Sequence, residues 1–527
     1  MLINIHCAKC VGIEAVPVTV EVDITSGLGI HLVGLADAAV KESLLRTMTA
    51  LQSMGFRIPG KKIVINLAPA DMHKKGSGYD VPIALGIIKA SRQRELARIE
   101  EYIIMGELGL DGTVREIPGA LPIAELASGS GLRGCILPAR SAQEAADYGC
   151  TEIYGVETLE DVMRILDGEE PCEDLRVRET YDGLPPDETH DICTEGWSAE
   201  EMAQIMDLSE IMGQDAAKRG IEIAAAGNHN VLLIGPPGSG KSSLAKAIAG
   251  ILPPMSLEES LQTSKIYSVA GKRNGRGGLM RMRPFRSPHY SASIAALIGG
   301  GSDNILPGEI SLAHNGILMI DEFCEAPKKV VEVLRAPMED RKVTISRLKT
   351  KIEYPADFML VAATNPCPCG YYGEGDRCSC SPSRRSAYLS KLSGPIMDRI
   401  DIQLWMSPVD PKKLVEREPA ESSAEVAARV LKAREIQRTR FAGEDSGTFC
   451  NSAMNNRQIE KYCPLSPQCR GVLERVIEHM GLSARACYRI IKLARTIADL
   501  EGCTDIEPRH LSEAASYRFL DKQNIFD

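Results

Sequence analysis

The chain lacks any uninterrupted apolar run long enough to span a bilayer. Its N-terminus also lacks the basic, apolar and small-residue succession of a secretory leader. Both absences argue for a cytoplasmic protein with no membrane partner. In that compartment the 16 cysteines are thiols or metal ligands rather than a disulfide framework. Excess positive charge is missing too: 61 Lys and Arg against 71 Asp and Glu leave a net charge of −10 and a pI near 5.6. Any nucleic-acid surface must therefore be local. Aromatics are scarce at 5%. No fixed-period repeat or low-complexity tract appears. What remains, 44% hydrophobic and 25% charged over 527 residues, is ordinary globular composition with room for three or four domains.

Against that plain background one motif stands out. Val231-Leu-Leu-Ile234 is a short apolar strand that runs straight into Gly235-Pro236-Pro237-Gly238-Ser239-Gly240-Lys241-Ser242-Ser243. The pattern G-x-x-x-x-G-K-[ST] is met in full. Its glycines let backbone N–H groups wrap nucleotide phosphates at the start of a helix, where the dipole favours negative charge. Lys241 is placed to reach the β/γ-phosphates and Ser242 to hold Mg²⁺. A second apolar strand, Ile317-Leu-Met-Ile320, delivers Asp321 and Glu322 at its carboxyl end. Asp321 fits the Mg²⁺ carboxylate, and Glu322 the base that polarises the attacking water. A third strand, Phe358–Thr364, ends at Asn365, whose side chain can sense the γ-phosphate. Together these read as an ATPase core that uses ATP and Mg²⁺.

Composition divides the rest. Residues 1–166 alternate short strands (Val16–Val22, Lys62–Asn66, Tyr102–Met105) with helical patterns (Ala38–Met54, Val81–Ala90, Leu121–Ala127), an independent α/β domain. Residues 167–197 are acidic and proline-bearing, a linker. The ATPase core spans 198–407. From 408 to 527 the pattern turns helical (Ser423–Thr439, Gln468–Met480, Ala484–Glu501, Glu507–Phe519), a small bundle.

Two further features interrupt the core. Cys367-Pro-Cys369 and Cys378-Ser-Cys380 have eight residues between the pairs, and Gly370, Gly373 and Gly375 let the loop turn. Four thiolates there could close a tetrahedral Zn²⁺ site, a structural knuckle after Asn365. The second feature is a pair of basic, acid-free segments. One carries Lys265, Lys272, Arg273, Arg276, Arg281, Arg283 and Arg286, in a stretch from Ser260 to Ser302 without Asp or Glu. The other, Arg341–Lys351, includes Arg347, Lys349 and Lys351 and alternates like a hairpin arm. A solvated charged face is the bland reading. Two basic insertions in an acidic chain favour DNA contact instead, through phosphates and without sequence specificity.

The segment Gly213–Asn230, the strand-borne motifs, Arg283-Pro-Phe-Arg-Ser-Pro-His289, Pro307–His314 and Asn365-Pro-Cys-Pro-Cys-Gly370 together resemble the ComM/YifB family of magnesium-chelatase-like AAA+ ATPases. The resemblance covers nearly the whole chain. It implies an α/β multidomain fold: a degenerate Lon-protease-like (ribosomal S5 domain 2-like) N-terminal domain, an AAA+ P-loop parallel-sheet core and a chelatase-type C-terminal helical lid bundle. It further implies a hexameric ring with ATP at subunit interfaces, and a DNA helicase that drives branch migration in natural transformation or recombination. In such a ring a neighbour supplies an arginine to the γ-phosphate. Arg399 in Met397-Asp-Arg-Ile-Asp401 matches the finger motif, with Arg384 and Arg385 as rivals. The alternative for Arg399 is a surface ion pair with Asp398 or Asp401. Arg485 resembles the sensor-2 arginine, behind a plausible Ser483 cap, while Arg489 and Arg495 read as solvated or ion-paired. By the same resemblance the two basic insertions match loops that point into the ring pore. Two other functions compete. A metal-insertion motor would leave the basic insertions unexplained. A protease would need a lysine to activate Ser77 in Lys75-Gly-Ser-Gly78, and Glu116–Ala124, where the resemblance would place it, holds none.

Overall fold

The computed structural model describes residues 2–35, 38–74, 76–146, 148–149, 151–168, 172–178, 205–273, 278–301, 305–346, 351–392, 394–408, 420–444 and 448–521. Strands β1 (Ile3–Val11) and β2 (Glu14–Thr25) form a long antiparallel hairpin because their apolar residues alternate. Ile3, Ile5 and Cys7 lie on the buried face, opposite Val22, Val20 and Val18 in direct register. Around this hairpin gather β3 (Ile30–Val33), β4 (Lys62–Ala68), β5 (Tyr102–Ile104), the small hairpin β6 (Glu107–Leu108) and β7 (Val114–Arg115), β8 (Gly134–Pro138), β9 (Glu152–Val156) and β10 (Arg176–Val177). All but β6 and β7 join one sheet in the order β10-β9-β8-β5-β1-β2-β4-β3. Helix Asp80–Ala90, buried from Asp80 to Ile88, packs on β1 and β2. The sheet runs past the boundary expected at residue 166, since β10 pairs antiparallel with β9. The remainder of the expected linker, from residue 179, lies outside the described residues.

The core strands are β11 (Val231–Ile234), β12 (Phe285–Arg286), the short pair β13 (Gly299–Gly300) and β14 (Leu306–Pro307), β15 (Ile317–Ile320), the hairpin β16 (Lys342–Ser346) and β17 (Lys351–Pro355), β18 (Met359–Thr364) and β19 (Ile402–Trp405). Five of them make an all-parallel sheet ordered β12-β15-β18-β11-β19. β11, β15 and β18 are apolar throughout save Thr364 and fully buried, as strands covered on both faces must be.

Helices Ser423–Phe441, Asn456–Tyr462, Pro467–Met480, Ala484–Leu500 and Pro508–Ser516 follow. Their starts carry side-chain caps: Ser422 with Glu425, Asn455 with Gln458, and Ser466 and Ser483 alone. The bundle shares one apolar cluster with the core, in which Val430, Ile497 and Leu511 join Ile223 and Leu244. Arg495 is buried against Asp499 at 3.0 Å, and Arg440 pairs with the same carboxylate. A seam joins the N-terminal domain to the core helix Leu257–Val269. The Gly119 N–H donates to the Ser268 carbonyl (3.0 Å), the Ser268 hydroxyl donates to the buried Glu144 carboxylate (2.9 Å), and Lys265 pairs with Glu125.

Candidate functional site

The loop after β11 turns on Gly238 and Gly240, both in the left-handed region at φ 79° and 87°. Gly235 is required for a different reason. A Cβ there would stand 2.4 Å from the Met406 carbonyl of the chain leaving β19. The loop therefore presses against its neighbour strand, and Gln214 Nε2 ties it further by donating to the Ser239 (3.3 Å) and Ser407 (2.6 Å) carbonyls. Nothing in the loop motif itself points to Gln214, although it sits in the Gly213-Gln-Asp segment that carried the family resemblance.

Four of the expected residues converge here. Lys241 is buried, and its ammonium donates to the Gly235 (2.7 Å) and Pro236 (2.8 Å) carbonyls and to Asn365 Oδ1 (3.3 Å). Burial lowers its pKa, against the opposing pull of Asp321 and Glu322. The Ser242 hydroxyl donates to Asp321 Oδ2 at 2.9 Å. Two hard oxygens held this close fit a Mg²⁺ site. Glu322 follows with φ 50°, and its N–H donates to Asp321 Oδ1 (2.8 Å). A non-glycine residue held there costs on the order of 1 kcal/mol, a strain typical of functional positions.

The four cysteine sulfurs of the knuckle lie within 4.8 Å of one another. Cys367 to Cys369 is 3.3 Å, Cys367 to Cys378 is 3.8 Å and Cys369 to Cys378 is 3.6 Å. Zn–S bonds of about 2.3 Å in a tetrahedron require sulfur edges of about 3.8 Å, so the set fits that ion. The backbone N–H of Tyr371 draws the Cys369 thiol down to about 6, while burial pushes Cys367 up to about 12. Glu501, Cys503 and His510 also cluster. There His510 Nδ1 accepts the Glu507 N–H (3.0 Å), which leaves Nε2 to donate to Glu501 (3.2 Å), and Arg509 holds the same carboxylate at 2.9 Å. That group is spoken for.

Arg399, Arg485 and Arg489 line one small cleft with Met338, Glu339 and Asp398. Arg485 is exposed in the first turn of the helix that Ser483 caps. Arg399 pairs with Glu339, rather than with Asp398 or Asp401, and its Nη1 donates to the Pro395 carbonyl (2.7 Å). Its backbone carbonyl accepts from Asn230 Nδ2 (2.9 Å) and Arg489 (3.3 Å). Asp401 is the hub: Arg489 pairs with it, the Asn230 N–H donates to it (3.2 Å) and the His229 ring stands 3.4 Å away. Arg489, Asp401, His229 and Glu339 escape a motif search because they meet only in three dimensions. Of the rival fingers, Arg385 stacks on Tyr372 (4.2 Å) and donates to the Cys380 carbonyl (2.9 Å), whereas Arg384 is exposed.

The basic segments separate into internal and external residues. Arg283 is bidentate to Glu259 (2.9 and 3.1 Å) and donates to the Pro253 and Asn315 carbonyls. Arg286 is bidentate to Glu309 (2.6 and 2.8 Å). Arg273 is buried and donates to the Gly278 carbonyl. These three, with Lys265, use their donors inside the protein, which removes them from the DNA-facing set. Lys272 is exposed, with Glu309 at 3.8 Å, and Arg281 is exposed. Arg276 lies outside the described residues. In the second segment the expected hairpin exists as β16 and β17. Lys351 is exposed and pairs with Glu353 (3.1 Å), and Arg347 and Lys349 lie outside the described residues. In the N-terminal domain Ser77 donates to Glu107, and Lys74, buried, donates to the Pro69 carbonyl, so neither forms a nucleophile–base pair with the other. Lys75 is not among the described residues.

A P-loop after β11, an Asp-Glu pair after β15 and an asparagine after β18, on an all-parallel sheet with a helical lid, define the class: a nucleotide-binding core of AAA+ type. The magnesium chelatase, subunit ChlI family model matches residues 207–414. The subunit ChlI of Mg-chelatase model matches 20–141, and the magnesium chelatase, subunit ChlI C-terminal model 420–518. The chain is 40% identical over 521 residues to the uncharacterized protein YifB of Salmonella typhimurium, spanning 98% of this chain and 97% of that one. It is 40% identical over 520 residues to the competence protein ComM of Haemophilus influenzae, with 98% and 97% covered. The DNA replication licensing factor Mcm6 of Drosophila melanogaster is 24% identical over 350 residues, 60% of this chain and 37% of that protein. The chain belongs to the magnesium-chelatase-like ComM/YifB family. Among the described residues no helix is long and apolar enough to cross a membrane.

Proposed function

We propose that this chain is an ATP-driven motor that works as a hexameric ring on DNA, a branch migration helicase. The observation that carries the reading is the meeting of Lys241, Ser242, Asp321 and Asn365 at the carboxyl ends of adjacent parallel strands. A triphosphate entering the loop would take the Lys241 donors now given to Gly235 and Pro236. Ser242 and Asp321 would hold Mg²⁺, which neutralises phosphate charge when bound. Glu322 would polarise the attacking water, and Asn365 would hold it against the γ-phosphate. Arg399 serves a neighbour's nucleotide in this reading, and Arg485, which lines the same cleft, acts as the sensor arginine. The four cysteines hold a structural Zn²⁺.

DNA as the substrate is supported by the likeness to a competence protein and, more distantly, to a replication licensing factor. It is also supported by the two basic insertions, through Lys272, Arg276, Arg281, Arg347, Lys349 and Lys351. The test is ATP hydrolysis measured alone and with single-stranded, duplex and branched DNA. Stimulation is expected, strongest with branched DNA and falling steeply with salt. Hydrolysis indifferent to every DNA refutes the reading. It would favour instead a metal-insertion motor, the reading that the chelatase family models suggest.

A further inference from the structure

We propose that the four-cysteine knuckle is a metal-dependent positioning device for the nucleotide site, so that Zn²⁺ bound there sets nucleotide affinity and turnover. The inference rests on the nucleotide-binding reading above and adds to it a control by metal occupancy.

The knuckle touches the site at three points. Pro366 alone separates Asn365 from the first ligand, Cys367. The Cys367 carbonyl accepts the Gly370 N–H (3.0 Å), which closes a turn directly over the phosphate loop. Gly370 has φ +87°, and a Cβ there would lie 3.0 Å from Pro237 Cδ and 3.9 Å from Asn365 Cγ. Further on, Tyr372 packs edge-on against Trp405, the last residue of β19, with ring centroids 6.1 Å apart. A Cβ at Gly373 would sit 3.4 Å from the same indole. The next residue, Met406, donates its N–H to the Ile234 carbonyl (2.7 Å) at the mouth of the loop. The knuckle thus leans on the phosphate loop from above and on the strand end that braces it from the side.

Besides the cysteines, the knuckle is held by surface contacts: turn hydrogen bonds, arginine–tyrosine stacking and the Tyr372–Trp405 pair. Its regular structure is one short turn, Gly375–Arg377. Its large apolar side chains are Tyr371 and Tyr372, both partly exposed, each under an arginine. Ordering such a segment costs roughly 1–2 kcal/mol per residue in backbone entropy. A thiophilic ion bound to four sulfurs supplies that order, and its loss releases it. Asn365 and Pro237 then lose one wall.

The experiment uses the full chain purified without chelator. Zinc is counted, then displaced with a mercurial while a chromogenic chelator records its release. Affinity for a fluorescent ATP analogue and hydrolysis are measured before, after, and after restoring zinc with excess thiol. Circular dichroism checks that the fold persists. We expect one Zn²⁺ per chain, and a loss of about 10²-fold in turnover on its removal, the scale of an ångström-sized misplacement of a catalytic group. Restoration of zinc should recover it. Cys378→Ser should behave as the stripped protein does. Gly370→Ala should keep its zinc yet weaken nucleotide binding about tenfold, because it disturbs the contact and leaves every ligand. A zinc-free purified protein overturns the proposal, as does full affinity and turnover after zinc release. A zinc-loaded protein that binds ATP but never hydrolyses it would instead refute the motor, while the affinity change on stripping still decides this inference.

Discussion

Replacing Arg489 by methionine removes one partner of an ion pair that joins the lid bundle to the end of the core sheet. Asp401 is 3% exposed, so its carboxylate has no water to fall back on. Burial pushes its pKa up, but the Arg489 guanidinium and the His229 ring outweigh that and hold it well below the usual carboxylate range. Deleting one member of such a pair costs about 3–5 kcal/mol, because the other charge stays buried and uncompensated. In a unit of this size that corresponds to a drop in Tm of roughly 10 °C. The sign with pH follows from the depressed pKa: the pair's contribution is present above the unfolded carboxyl pKa of about 4 and fades as pH falls below it. The variant, with less depression, has less of this contribution to lose, so the gap between variant and parent should narrow as pH falls below about 4. Asp401→Asn combined with Arg489→Met should recover part of the loss, since no charge is then stranded. Thermal melts at pH 7 and near pH 3, followed by circular dichroism, decide it. The reasoning fails if Arg489→Met melts with the parent, or if the double variant loses the sum of the singles.

Three further outcomes are expected. Lys241→Ala should abolish nucleotide binding, whereas Glu322→Gln should keep binding and stop hydrolysis, read by analogue titration and phosphate release. Replacing Arg347, Lys349 and Lys351 by alanine should weaken DNA binding and lower its salt slope while basal hydrolysis persists; Arg399→Ala should spare nucleotide binding and stop hydrolysis in the assembled ring. Asp80 is fully buried and, despite its Arg46 partner at 3.0 Å, burial raises its carboxyl to about 6. A raised carboxyl makes stability fall as pH climbs from about 4 to about 6, by about 1.4 kcal/mol per pH unit at most. Asp80→Asn should flatten that slope in chemical denaturation.

The nucleotide loop, the Asp-Glu strand end and the cysteine pairs were legible in the sequence because each is local, with chemistry written at fixed short spacing. Four of the lid helices were legible from their apolar period, with Ser483 marking one start; Asn456–Tyr462, at 7 residues, is too short to show a period. Charge pairing was not. Arg283 and Arg286 sit in an acid-free run, yet their partners Glu259 and Glu309 lie 24 and 23 residues away and arrive only through folding. Arg399 looked free to pair with the acids beside it, but the backbone there turns its guanidinium toward Glu339, 60 residues earlier. Strand β10 was hidden by the acidic residues around it. Two residues of pairing are too short to show a period.

The seam between the N-terminal domain and the core has a mechanical consequence. Helix Leu257–Val269 starts just beyond the helix that leaves the phosphate loop, and its last turn is fastened to the other domain by Lys265 and Ser268. Its 13 residues make a rod roughly 20 Å long, so a tilt of ~10° about its first turn sweeps the far end by about 3 Å. The fastening bonds of 2.9 and 3.0 Å stretch by only a fraction of that. The helix is thus a tiller: when it swings, the whole N-terminal domain must swing with it or come unfastened. A pair of fluorophores, one on each domain, would turn such a swing into a measurable change of distance.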